Sequence, residues 1–142
     1  MATIFGSSLA FISSVTDDAT TEFNGAVEIA TATIGGTTYV YVGGFDDSGI
    51  EVLTLDGNGT LTSVGRVSDV NLTALSTVYG VKAFEVGGNT FVATAGRGDD
   101  GISVFQATDG APYLTLADSA FLTNDASFNL DRPFNIEVVT TG

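Results

Sequence analysis

The chain of 142 residues has no cysteine, no histidine, only two prolines, and four bases against seventeen carboxylates. Each shortage excludes something. Without cysteine there is neither a disulfide nor a thiolate metal site. Without histidine there is no Ser-His-Asp or Cys-His catalysis, no imidazole-bound zinc, and no side chain that ordinarily titrates near neutral pH. The bases, Arg66, Lys82, Arg97 and Arg132, leave a formal charge of −13. Binding to a phosphate backbone requires clustered cations that displace counterions, so nucleic acid is not an expected partner, and neither is an anionic membrane surface. No apolar run approaches the roughly 20 residues of a membrane-spanning helix, and membrane insertion is not expected. The opening "MATIFGSSLAFISS" lacks the basic segment and long apolar stretch of a conventional signal peptide. Export by a C-terminal or signal-less route stays open.

Eighteen glycines punctuate short runs of Thr, Val, Ile, Phe and Tyr, a composition that favours strands and turns over helices. The length suits one domain with a real core. An all-β domain is expected.

Sliding the chain against itself by 52 residues places "IGGTTYVYVGGFDDSGIEVL" (Ile34 to Leu53) on "VGGNTFVATAGRGDDGISVF" (Val86 to Phe105) without a gap, with 9 of 20 positions identical. The identities mix turn residues (Gly35/Gly87, Gly36/Gly88, Asp47/Asp99) with core residues (Val40/Val92, Ile50/Ile102, Val52/Val104), as a repeated structural unit requires. The same offset carries upstream, laying "LAFISSVTD" on "LTSVGRVSD" and "AVEIATATI" on "VYGVKAFEV". A weaker third copy follows, shifted by a few inserted residues.

Each unit reads as four strands. The first has Ala26–Thr33, Thr38–Gly43, Ile50–Leu55 and Leu61–Ser68; the second has Val78–Val86, Thr90–Ala95, Ile102–Ala107 and Tyr113–Leu122. The Gly-Gly pairs supply positive φ for the first hairpin, and "DDSG" and "GDDG" form the next turn. "TYVYV" is apolar on both sides, Tyr39 and Tyr41 pointing one way and Val40 and Val42 the other, so a sheet is expected on each face. The fourth strand, with Ser63, Arg66 and Ser68, suits an outer position beside water.

Four-stranded antiparallel units that need a neighbour on both faces describe β-propeller blades. The pattern "GG-T-TYVYVGG-DD-GIEVL…DGNGTLT…VSD" resembles the repeats of secreted bacterial β-propeller proteins of the lactonase-like and RTX-associated kind. That resemblance implies the fold and an extracellular or cell-surface setting, and points to a hydrolase only through the lactonase-like members. The expected organisation is a single domain, residues 1–142, of about two and a half repeats. It comprises a partial blade 1–18, blades 25–69 and 78–123, and a partial blade 133–142. Thr3–Phe5 reads as a short third strand and Phe134–Thr140 as an opening strand. Propellers close with about four to eight blades, so completion by oligomerisation is expected, as a ring or as a filament.

Asp46, Asp47, Asp99 and Asp100 fall in the repeated turns, where carboxylates and carbonyls could hold calcium, a hard cation. The plainer reading is that Asp and Gly make a tight turn. No cofactor is expected, and calcium is the only one worth testing. Arg97-Gly98-Asp99 spells a recognition tripeptide but aligns with Phe45-Asp46-Asp47, which makes it a turn. Asn58 and Asn71 match glycosylation acceptors. Glu28, Glu51, Glu85 and Glu137 sit at strand positions without a recognisable acid/base pair, so no catalytic residue is assigned and enzymatic activity is not expected. Arg66 and Arg132 read as solvated charges.

The preferred expectation is a non-catalytic structural or adhesive protein on a cell surface, in a secreted matrix or on a virion, with copies of itself as the partner. A module binding a glycan or a surface protein is the alternative, and a lactonase-like hydrolase the third reading.

Overall fold

The computed structural model describes residues 10–70 and 73–139, apart from the side chains of 118–120. The chain is all-β, with eight strands and no helix among these residues. In order they are β1 (Ala26–Ile34), β2 (Thr37–Gly44), β3 (Gly49–Leu55), β4 (Leu61–Ser68), β5 (Val78–Val86), β6 (Asn89–Gly96), β7 (Gly101–Ala107) and β8 (Leu114–Thr123). They form two four-stranded antiparallel meanders, β1-β2-β3-β4 and β5-β6-β7-β8. The strands fall within one or two residues of the sequence reading because the turn residues fix them. Gly35 and Gly36 have φ of 60° and 89°, and Gly87 and Gly88 have 59° and 78°, the left-handed values that a two-residue hairpin needs.

The two sheets pack face to face. Tyr39, Tyr41, Ile50 and Val52 of the first meet Val78, Val81, Val92, Phe105 and Leu114 of the second, joined by Leu75 from the connection between sheets. Each of these large side chains contributes roughly 1.5–3 kcal/mol on burial, against about 1 kcal/mol for a turn hydrogen bond, so the seam dominates the stability. Polar contacts finish it: the Tyr39 hydroxyl donates to Asp109 Oδ1 at 2.6 Å, and Val81 N–H donates to Glu28 Oε2 at 3.1 Å.

Val40 and Val42 point to the opposite face, as the alternation predicts, and form a smaller cluster with Leu53. The expectation of a sheet on each side is met on one side only. Among the described residues this second face is met by Val15, Phe23 and Leu61, from a segment, a connection and a strand start, and not by a sheet.

The repeat extends to individual hydrogen bonds. Phe45 N–H donates to Gly25 O and Asp46 N–H to Asn24 O; 52 residues on, Arg97 N–H donates to Thr77 O and Gly98 N–H to Ser76 O. Thr77 takes a φ of 57° where its counterpart Gly25 has 66°, and Asp100 takes 49° where Ser48 has 58°. A threonine in the left-handed region is costly, so the unit's geometry imposes these angles over residue preference.

Contacts of the same kind recur outside the two sheets. Thr77 N–H, at the start of the second unit, is held by Ser48 Oγ, and Arg132 N–H is held by Asp100 Oδ1, the next residue pair in the series. Arg132 has a φ of 52°, close to those of Gly25 and Thr77, and lies three residues beyond the position that the 52-residue offset gives from Thr77. Phe134 then stacks on Tyr79 with centroids 4.4 Å apart. The opening strand expected at Phe134–Thr140 is not a strand over 134–139, because among the described residues no second strand pairs with it; Thr140 lies outside the described residues. At the other end, Ser13 Oγ accepts the N–H of Leu61 at 3.1 Å, and the counterparts of these two residues, Gly65 and Tyr113, also lie in contact. Residues 10–16 therefore stand against the first sheet as β4 stands against the second. Thr3–Phe5 lies outside the described residues.

Candidate functional site

The repeated acidic turns are the first place to look for chemistry. Asp47 Oδ2 accepts Asn24 N–H at 2.8 Å, and Asp99 Oδ2 accepts Ser76 N–H at 2.9 Å. Both carboxylates thus tie the β2–β3 or β6–β7 turn to the connection just before its sheet's first strand. Asp100 Oδ1 holds Arg132 N–H, and Asp46 is exposed at the turn tip. Among the described residues no group of three acidic side chains gathers as calcium ligands would. Asp47, Asp99 and Asp100 each hold a backbone N–H group in this way.

The tripeptide Arg97-Gly98-Asp99 is equally structural. The Arg97 guanidinium lies 5.2 Å from the Tyr79 ring centroid and 5.7 Å from that of Phe134, and donates to the Tyr79 hydroxyl at 3.3 Å. Phe45, its counterpart, meets Tyr79 edge-on at 5.2 Å. One position therefore pins the start of the following unit in both repeats, first with a ring and then with a cation over a ring. Arg97 and Arg132, with Phe45, Thr77 and Gly98, line an open cavity of about 270 Å³.

Of the strand carboxylates, Glu51 is 1% exposed. Its Oε2 accepts Glu22 N–H at 3.0 Å and its Oε1 accepts the Ser63 hydroxyl. The Glu22 carboxylate in turn accepts Ser68 Oγ at 2.6 Å and faces Arg66 Nε at 3.8 Å. Arg66 is therefore not simply solvated: it pairs with Glu22 and donates to the Thr20 carbonyl. Glu28 is committed to Val81 N–H, while Glu85 and Glu137 are exposed. Glu28 and Glu51 each receive backbone N–H groups, an arrangement that orders the chain around them.

Two aspartates have carboxyls held below the ordinary range by local donors. Asp18 does so chiefly through the Thr20 side chain and N–H, and Asp56 chiefly through the Thr60 N–H across the β3–β4 turn. Asn58 sits in that turn, exposed, with its N–H on Asp56 Oδ1. Asn71 lies outside the described residues.

The feature with unused binding capacity is the outward face of the first sheet. Val15, Phe23, Ala26, Ile29, Val42, Leu53 and Leu61 line an almost wholly apolar groove of about 230 Å³. Sequence reasoning named the valines of β2 as needing cover, but did not see Ile29 or Phe23. The signal was available: their counterparts 52 residues later, Val81 and Leu75, are also apolar.

No protein-family model and no curated protein matches this chain. The resemblance to propeller repeats therefore rests on the residues alone.

Proposed function

We propose that this is a non-catalytic structural protein, of the cell surface, a secreted matrix or a virion, that assembles with copies of itself through its terminal segments, each sheet acting as a propeller-type blade. The observation that supports this reading is the bond from Arg132 N–H to Asp100 Oδ1, which repeats the bond from Thr77 N–H to Ser48 Oγ, while Ser13 at the other end of the described residues is bonded to Leu61 at the edge of the first sheet. A segment held in strand position without a ladder leaves its backbone donors and acceptors open to pairing. Light scattering with negative-stain electron microscopy tests this. Discrete rings or filaments are the expected result, and a stable monomer at all concentrations would overturn it.

One observation favours a second reading, a glycan- or protein-binding module. Phe45, Tyr79 and Phe134 stand in a row beside the cavity that carries Arg97 and Arg132. A glycan array on the purified chain tests it, binding that falls on Arg132→Gln being the expected pattern.

A further inference from the structure

Two of the chain's four bases, Arg97 and Arg132, line a single open cavity together with Phe45, Thr77 and Gly98. A chain with seventeen carboxylates offers each base many chances of a partner, and Arg66 takes one in Glu22. Among the described residues neither Arg97 nor Arg132 is ion-paired. The two carboxylates that follow Arg97, those of Asp99 and Asp100, hold the N–H groups of Ser76 and Arg132 instead.

The repeat shows that the fold requires neither charge. Arg97 stands where the first unit has Phe45, which meets Tyr79 with a ring alone. Arg132 has a left-handed φ of 52°, close to the 66° of Gly25, and that region disfavours a long side chain but not a glycine. A phenylalanine and a glycine therefore serve elsewhere in the chain at the positions where these two arginines stand. Strained backbone and unmatched charge at one cavity mark a binding site.

Arg97 is fixed before any ligand arrives. It lies over the rings of Tyr79 and Phe134 and donates one N–H to the Tyr79 hydroxyl, which leaves its other donors, among the described residues, without an acceptor. A planar guanidinium matches a carboxylate, which it binds through two parallel N–H groups. The net charge of −13 repels a polyanion, so the anion that fits carries one charge on an otherwise neutral body. The cavity, about 270 Å³, lies just below the roughly 300–1,000 Å³ of pockets for drug-sized ligands, which suits a single ring. Phe45 offers that ring an apolar face, and the Thr77 hydroxyl offers a donor and acceptor.

We infer that Arg97 and Arg132 bind the carboxylate of a singly acidic sugar, of the uronic acid class, whose ring lies in the cavity against Phe45. This rests on the glycan-binding reading above and adds to it the ligand class and the residues that select it.

Titration of the full chain with glucuronate, glucose and acetate, followed by ligand-observed NMR, tests the inference. Glucuronate is expected to bind about tenfold or more tightly than either of the others, since only it has both the charge and the ring. Two variants copy the chain's own alternatives: Arg97→Phe restores the residue of the first unit, and Arg132→Gly restores a glycine at the left-handed position. Each is expected to weaken glucuronate binding about tenfold or more while the melting temperature is kept, or raised in Arg132→Gly. Equal binding of glucose and glucuronate would overturn the inference and leave the glycan reading standing. Acetate binding as tightly as glucuronate would assign the cavity to a bare carboxylate, such as an acidic side chain of a protein, and overturn the sugar. Glucuronate binding that is unchanged in both variants would place the ligand elsewhere. No binding of either sugar, with a silent glycan array, would sink the inference together with the glycan reading beneath it.

Discussion

Glu51 and Ser103 lie 52 residues apart and play the same part in their units. The Glu51 carboxylate accepts Glu22 N–H at 3.0 Å, and the Ser103 hydroxyl accepts Ala74 N–H at 2.7 Å. Both are almost completely buried, and both anchor the connection that leads into their own sheet. The unit needs an acceptor at this point, and two chemically unlike side chains meet the need.

Removing that acceptor leaves a buried N–H unpaired. Ser103→Ala is expected to lower unfolding stability by about 1–3 kcal/mol, and Glu51→Ala by more, since Ser63 also loses its partner. Urea denaturation measures both. Equal stability in either variant would mean that water replaces the lost acceptor.

Tyr39 and Tyr41 separate two effects that look alike. Tyr39 donates across the seam to Asp109, whereas the Tyr41 hydroxyl is buried with no partner among the described residues. Tyr39→Phe is expected to cost about 0.5–3 kcal/mol, and Tyr41→Phe to be neutral or stabilising, because it removes an unmet polar group from a closed site. Thermal melts of the two variants decide this.

Alkaline unfolding follows from the same pair. Burial first, and then the neighbouring Tyr39, push the Tyr41 phenol up to about 12, and Tyr39 is also raised, mainly by burial. An unfolded tyrosine releases its proton near pH 10. Because the folded state keeps the proton longer, the contribution is whole below about pH 10 and is lost as pH rises through about 12. For Tyr41 the loss amounts to roughly 2–3 kcal/mol. A pH series of denaturation midpoints should fall over this window, and fall less steeply in Tyr41→Phe.

Gly44 and Gly96 carry the closest backbone approach in each unit. A β-carbon at Gly44 would run into the Glu22 carbonyl, and one at Gly96 into that of Ala74. Either Gly→Ala change is expected to cost roughly 1–3 kcal/mol, as crowding displaces the connection. Similar losses at the two sites would support the equivalence of the units; a neutral result at either would refute the tight approach.

The four aspartates of the repeated turns show how far sequence reasoning reaches. Their spacing with glycine specified turns, and turns are what they form. For three of them the fold adds partners that lie far off in sequence: backbone N–H groups 23 residues earlier for Asp47 and Asp99, and 32 later for Asp100. Spacing alone carries no such direction. Glu51 is similar: in the sequence it is a carboxylate in an apolar run, and only the fold brings Glu22 N–H and Ser63 to it.

From its sequence alone this chain determined two four-stranded units, their turns and the alternation of β2, because periodicity and left-handed turn residues are local properties that need no partner. Tertiary structure decided which apolar face is covered. Val81 and Ile29 have the same character and differ only in what lies against them, and burial is a property of neighbours. A repeat can specify that a face needs cover; the number and arrangement of units decide whether that cover is present.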